Sequence, residues 1–496
     1  MALIEEATDE RPLRPQDVEA LARRSGGSPR FLKALLFEVI RTGGAVDELP
    51  GSIEGVVTAQ IDRLPPRIRT RLRSLSVLGQ TFTREMAGWV LEDEGAVEDL
   101  RDAGLFEGLI DVDGRGGFRF RNGLVRDVAY GSLPFRRRRE LHARVGEAIA
   151  ADAGADVDEV AELLSLHFFY AQRLEEAWRF SRRAAEKAAQ IFANVEARDF
   201  FLRALETSGR LPALDPPEVV AAAEALGDVR MRLGEYREAE RAYRGARRLV
   251  VGDPVAQARL LLKEALVLDV EGRFSQALRT LTRGTRLLEN GDPGAAGLRA
   301  QLAAHYAGIR WAQGHNRDAI RWSRVALADG EAANELDATA HALYVLDIAE
   351  HSLGLSRGGE HSQRALDLYE ELGNLSKQGD VLNNLGYYAY FQGDWSAAVA
   401  YYERARDLFL RTGNVVDAAL DEGNIGDVLL FQGRLDEAAR QFADALRIFR
   451  ASGVRPYEVF ALAELAATES RAGRFTEASA MFDQAEALVR EVGDEY

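Results

Sequence analysis

Amide side chains recur at one point of a repeating pattern. Asn384 and Asn424 precede Gly393 and Gly433 by the same interval, and Asn383 and Tyr387 stand beside the first of them. An amide offers two N–H donors and a carbonyl acceptor but no titrating proton, so such residues supply hydrogen-bonded recognition rather than proton transfer. The residue types that catalyse are placed less suggestively. There is no cysteine, which excludes disulfides, thiol nucleophiles and thiolate metal sites. The seven histidines are scattered and give no H-x-x-x-H pair on one helix face. Acidic runs such as Glu92-Asp93-Glu94 and Asp421-Glu422 are ordinary on helix surfaces, and without a convergent pocket they give no ground for acid–base catalysis. Lys33, Lys187, Lys263 and Lys377 are the only lysines, and none lies in a G-x-x-x-x-G-K-[ST] loop that could cradle phosphates.

The elements that must position these residues announce themselves by period. Gly234, Gly272, Gly314, Gly354, Gly393, Gly433 and Gly473 recur at intervals of 38 to 42 residues. Five residues after six of them comes an alanine: Ala239, Ala277, Ala319, Ala398, Ala438 and Ala478. A fixed period of this size means stacked supersecondary units, which expose a long concave surface suited to binding. In residues 382–406, Leu385 and Gly386 fall on a first helix, Gly393-Asp394-Trp395 makes a turn, and Ala398, Tyr402 and Ala405 follow on a second. The next units repeat this with Ile425, Gly426, Phe442 and Ala445, then Leu465, Ala466, Phe482 and Ala485. Small residues belong where two helices cross closely. A glycine at the turn supplies the left-handed conformation that ends a helix.

This spacing resembles the tetratricopeptide repeat. That family's usual period is about 34 residues; the surplus here falls at Thr412-Gly413-Asn414 and Ser452-Gly453-Val454 and predicts longer helices. The unit around Gly354 departs from the pattern, with Gly358, Gly359 and Glu360 in place of the turn and alanine; it reads either as a bend or as sequence drift. The resemblance implies that Asn383 and Tyr387 face the groove, where amides at Asn383, Asn384 and Asn424 could hold the backbone of an extended peptide. The alternative is that these asparagines pair with the adjacent helix, satisfying buried polar groups. Tyr390, Trp311 and Tyr344 divide in the same way between groove lining and inter-repeat core.

The chain of 496 residues, 47% hydrophobic, is long enough for two or more domains. No apolar run of about 18 residues supports a membrane span. The acidic start lacks the basic-then-apolar order of a secretory signal, so a cytoplasmic protein without a membrane partner is expected. The net charge of −16 is uneven: about +2 over residues 12–150 and about −15 over 151–496. An acidic array repels nucleic-acid phosphates and favours basic or neutral partners.

Ahead of the repeats, residues 15–43 read as two helices around Ser25-Gly26-Gly27-Ser28-Pro29. Residues 52–146 show three helical segments, then an alternating stretch from Leu105 to Val112, a turn at 113–117 and a return over Phe118 to Arg121. Helices followed by a β-hairpin suggest a winged helix. The segments Ser25–Leu32, Ile61-Asp62-Arg63-Leu64-Pro65-Pro66, Phe120–Tyr130 and Arg136–His142, in this order, resemble the region that follows the ATPase core in bacterial STAND-type signal-transduction ATPases. Within these, the similarity is to actinobacterial regulators that carry an AAA-type ATPase, often a cyclase domain, and tetratricopeptide repeats. The resemblance implies that Gly26, Gly27 and Pro29 lie against the adenine of a nucleotide. It implies too that Asn122 stands where related chains have a phosphate-sensing histidine; asparagine donates a hydrogen bond but cannot become cationic. No phosphate loop, Walker B strand or cyclase motif is present. The chain starts where such a core would end, so it is expected to be a fragment, a truncated product or a stand-alone descendant, and not to hydrolyse ATP by itself.

The sequence thus predicts an all-α protein: a tail over residues 1–14, a helical ATPase remnant over 15–45, a winged-helix-like domain with one β-hairpin over 46–150, connecting helices and degenerate repeats over 151–216, and a tetratricopeptide-repeat superhelix over 217–496. The expected function is non-catalytic: protein interaction and signal sensing, with a protein or peptide in the groove and its own ATPase core or an oligomer as further partners. No cofactor or metal is expected, ATP or ADP entering only with an upstream core. The alternative is a transcription regulator touching DNA through the winged helix, where Arg136 to Arg139 could meet phosphates; the acidic remainder argues against DNA.

Overall fold

The computed structural model of the chain describes Leu21 and residues 53–102, 106, 108–112, 116–288 and 293–495. These form twenty-three α-helices and one small sheet, an all-α repeat array with a minor β element. The chain divides into two compact units, residues 1–234 and 235–496.

The first unit begins with α1 (Ile53–Arg63), α2 (Pro66–Leu75), β1 (Thr81–Phe82), α3 (Arg84–Leu91), the short α4 (Glu94–Glu98), β2 (Ile110–Val112), β3 (Phe118–Phe120) and α5 (Gly123–Gly131). The strand order is β1-β3-β2, antiparallel throughout, with Ile110 opposite Phe120 and Val112 opposite Phe118. The hairpin expected from alternation is present, with a first strand shorter than 105–112. The third strand was not legible, because two residues are too few to show a period. Phe118 and Phe120 point inward around the exposed Arg119, and Phe82 meets both rings at 5.8 and 5.9 Å between centroids. This aromatic wedge seals the sheet against a core that includes Leu72, Leu75 and Val125.

Helices then follow in antiparallel order: α6 (Phe135–Ala153), α7 (Ala161–Ala171), α8 (Leu174–Gln190), α9 (Asn194–Ser208) and α10 (Pro216–Arg232). Where α6 and α7 pack, a polar chain is buried. The Tyr130 hydroxyl lies 2.9 Å from His142 Nε2, and His142 Nδ1 lies 3.1 Å from His167 Nδ1. Burial pushes both imidazoles down, His142 to about 3 and His167 to about 4. Both rings are therefore neutral near pH 7, one Nδ1 donating and the other accepting.

The second unit is built of α11 (Tyr236–Leu249), α12 (Pro254–Val270), α13 (Phe274–Leu287), α14 (Ala296–Ala312), α15 (Asn316–Ala333), α16 (Leu336–Ser352), α17 (Glu360–Glu371), α18 (Leu375–Gln392), α19 (Trp395–Arg411), α20 (Val415–Phe431), α21 (Leu435–Ser452), α22 (Arg455–Arg471) and α23 (Phe475–Glu495). Even numbers from α12 are the first helices of their repeats and odd numbers the second. From α18 to α22 each helix has 17 or 18 residues, so the long period does lengthen the helices. Two kinds of glycine hold the pattern. Gly393 has φ 80° with open space around it, so conformation alone requires it. Gly386 lies inside α18, where an added Cβ would sit 2.6 Å from the Tyr402 ring; there close approach of α18 and α19 requires it. Tyr402 and Phe442 are buried beside their glycines as expected, whereas the corresponding Phe482 is 45% exposed, no further described helix covering it.

The irregular unit is a defined local structure. Its second helix, α17, has 12 residues and starts at Gly359 without a side-chain cap of its own. Asp347, fully buried on α16, caps it from outside: Oδ2 accepts from Gly359 N at 2.8 Å, Ser362 N at 3.2 Å and Ser362 Oγ at 2.5 Å. Gly358, at φ 78°, lets the Tyr388 ring lie where a Cβ would be.

Candidate functional site

Of the four expected groove residues, only Tyr387 is largely exposed, at 42%. Asn383 Nδ2 donates to Asp421 Oδ1 on the next first helix at 2.7 Å. Asn384 Nδ2 approaches Ser362 Oγ at 3.4 Å, joining the network around Asp347. Both amides thus have partners inside the array, the arrangement weighed as the alternative above. Asn424 is half-buried on α20. Trp311 and Tyr344 pack against the interior of neighbouring repeats, while Tyr387 and Tyr390 turn to the surface of the first helices.

A continuous aromatic strip runs there. His351 on α16 meets Tyr387 edge-on at 5.9 Å; Tyr387 meets Phe391 at 4.6 Å; Phe391 meets Tyr390 at 5.1 Å; Tyr390 meets Phe431 on α20 at 5.7 Å. The Arg471 guanidinium of α22 then lies 5.7 Å from the Phe431 ring centre. Residues three and four apart share a helix face, which aligns Tyr387, Tyr390 and Phe391. Phe391, Phe431 and Arg471 each stand two residues before a turn glycine. That shared register was the signal available in the sequence for Phe391 and Phe431. Phe391 is 64% and Phe431 56% exposed, so the strip is an open apolar surface crossing several repeats.

Carboxylates flank it. Burial raises Asp427 to about 7, the Glu464 charge adding to the rise, and burial raises Glu464 as well, against Arg471. Among the described residues neither carboxylate has an ion-pair or hydrogen-bond partner. Deeper in, Asp421 is fully buried and burial raises it to about 8, with the Asn383 bond opposing, Asp417 and Asp380 adding and Arg406 opposing. Among the described residues its Oδ2 has no partner.

These shifts fix a pH dependence. The folded array keeps protons on Asp421 and Asp427 between about pH 4 and 7–8, where the unfolded chain has lost them, so stability falls as pH rises through that window. His305 and His341, pulled below 6.5 by burial, act oppositely below pH 6.5, where the unfolded chain alone is protonated. The melting temperature of the array is expected to fall between pH 6.5 and 8.5. Asp421→Asn, which keeps an acceptor for Asn383, should flatten that fall and stabilise at pH 8.5 by on the order of 1 kcal/mol. Calorimetric scans of both proteins at the two pH values check this; parallel falls would remove Asp421 as the cause.

In the first unit, Asn122 is the N-cap of α5, its Oδ1 accepting from Val125 N at 2.9 Å. Gly26, Gly27 and Pro29 lie outside the described residues. Arg136 and Arg137 bond Glu140, Arg138 bonds the carbonyls of Leu133 and Gly131, and Arg139 bonds that of Ala171. All four arginines of the run therefore have protein partners. Among the described residues no helix is long and apolar enough to cross a membrane.

An uncharacterized protein of Rhizobium meliloti (strain 1021) is 25% identical over 234 residues, which cover 44% of this chain and 22% of that protein. The chain thus spans about a fifth of the length of the curated relative it matches. Among solved structures, a STAND protein with a tetratricopeptide repeat sensor from Pyrococcus horikoshii aligns over all of this chain and 73% of its own, at 14% identity and a TM-score of 0.47. Aspartyl phosphate phosphatase F from Bacillus subtilis aligns over 71% of this chain and 90% of its own, at 16% identity and a TM-score of 0.45. Residues 417–491, which span α20 to α22 and most of α23, match the tetratricopeptide repeat family model.

Proposed function

We propose that this chain is a non-catalytic interaction and sensing module that takes a protein or peptide segment along the first helices of its repeats, within a STAND-type regulatory ATPase system. The observation that carries the reading is the exposed strip Tyr387–Phe391–Tyr390–Phe431 crossing from one repeat to the next. Rigid aromatics bury much area at little entropic cost and dominate binding surfaces. Asp427 and Glu464 beside the strip favour a partner with cationic side chains, whose arrival would also bring both carboxylates to their charged form. Tyr387 belongs to this surface, while Asn383 and Asn384 bond neighbouring helices. The STAND context is supported by the four ordered sequence segments before the repeats. A cytoplasmic location is part of the same proposal.

The test uses the full chain with a Phe391→Ala/Phe431→Ala variant and a library of basic-aromatic peptides read by fluorescence anisotropy. Both rings are mostly exposed, so the variant is expected to melt within about 1 kcal/mol of the parent. Selected peptides should bind it at least tenfold more weakly. Undiminished binding would move the partner surface elsewhere on the array.

A further inference from the structure

A second surface lies on the other helices of the array and is of opposite character. Between α11 and α13 is a cleft of about 420 Å³ lined by Arg244, Arg247, Arg279, Arg283, Thr280 and Gln276. Two of the arginines are anchored from below. Arg247 grips Glu264 through Nε at 2.6 Å and Nη2 at 3.4 Å, and Glu264 is 4% exposed. Arg244 bonds Glu240, 7% exposed, and approaches Glu264 at 3.7 Å. Glu240 is already shared with Arg273. Each buried carboxylate is thus committed to orienting a guanidinium, and each guanidinium keeps further N–H donors free of those bonds.

The opposite wall is different. Arg279 and Arg283 stand one turn apart on α13, exposed, and neither has an acidic partner among the described residues. Four guanidiniums around one cleft repel each other, and Glu240 and Glu264 offset those of Arg244 and Arg247 while those of Arg279 and Arg283 stay unmatched. This excess of positive charge sits in a protein of net charge −16, where most arginines are matched by acid. What complements it is a compact anion with several oxygens. A guanidinium fork pairs with phosphate through parallel N–H···O bonds, and the Gln276 amide, whose Oε1 accepts from Arg273, keeps its N–H donors for the rim. The volume is that of a small-ligand site.

We propose that this cleft binds a phosphate-bearing ligand, with Arg244 and Arg247 as the fixed wall and Arg279 and Arg283 closing over the oxygens. The ligand's phosphate comes either from a free small molecule or from a phosphorylated side chain, and the chemistry recognised is the same. It is independent of the aromatic strip, which lies on the first helices.

The experiment titrates the full chain calorimetrically with inorganic pyrophosphate, and with a phosphoserine peptide and its unphosphorylated twin, against chloride at matched ionic strength. Binding of pyrophosphate or of the phosphorylated peptide alone is expected. It should weaken at least tenfold in Arg279→Ala/Arg283→Ala, return in part in Arg279→Lys/Arg283→Lys, and persist in Arg440→Ala, an exposed arginine on α21. Circular dichroism melts confirm that the variants fold. Pyrophosphate binding places the site with free phosphate compounds; binding confined to the phosphopeptide places it with modified protein. No binding beyond chloride, or an equal loss in Arg440→Ala, overturns the proposal.

Discussion

Gly386→Leu is expected to destabilise the repeat array by on the order of 3 kcal/mol. A Cβ at this position meets three atoms of the Tyr402 ring at 2.6 to 2.9 Å, and that residue is 4% exposed. Either α18 and α19 separate or Tyr402 leaves its rotamer, and both lose contacts with Ala398 and Ala438 that the repeat packing depends on. Gly386→Ala should cost less, because the gain in helix propensity, about 1 kcal/mol, offsets part of the clash. Gly393→Ala provides the contrast: nothing lies within 4 Å of its Cβ, so only the left-handed backbone is penalised, by about 1 kcal/mol. Urea titrations of the three variants give the ranking. A Gly386→Leu protein no less stable than Gly393→Ala would show that the two helices do not cross as closely as described.

Asp347→Ala should be nearly as damaging, by roughly 2–4 kcal/mol. The carboxylate is fully buried, and a single oxygen accepts from two backbone N–H groups and a hydroxyl at the start of α17. Alanine leaves the buried Ser362 donors and the partly buried Gly359 N–H without that acceptor, the costly side of hydrogen-bond energetics. Asp347→Asn retains an acceptor and should lose about half as much. The loss is local first: amide hydrogen exchange at Gly359 and Ser362 should accelerate before the array melts. Wild-type exchange at these two amides in Asp347→Ala would show that α17 is capped by something else.

The repeat was legible because its signals are local. A turn glycine needs a positive φ, an alanine five residues later permits a crossing, and both facts recur at intervals of 38 to 42 residues. The β-hairpin was legible for the same reason, from the alternation that ends at Val112, the turn residues at 113–117 and the return from Phe118. The strand at Thr81-Phe82 was not, since it exists only through pairing with residues 118 and 119. Asn383 and Asn384 mark the limit most clearly. Their type and register were visible in the sequence, but whether an amide faces a groove or a neighbour depends on where Asp421 and Ser362 arrive, 38 and 22 residues away. Phe391 and Phe431 shared a register that could be read, yet only stacking of α18 beside α20 turned two separate rings into one strip. The same holds for Arg247 and Arg279, which come to line one cleft only by helix packing. By itself the sequence determined the elements and their repetition, because φ angles, periodicity and small-residue spacing act over a few residues. The tertiary structure alone decided which side chains are used up within the array and which remain to bind, because that depends on distances between helices that no local rule encodes.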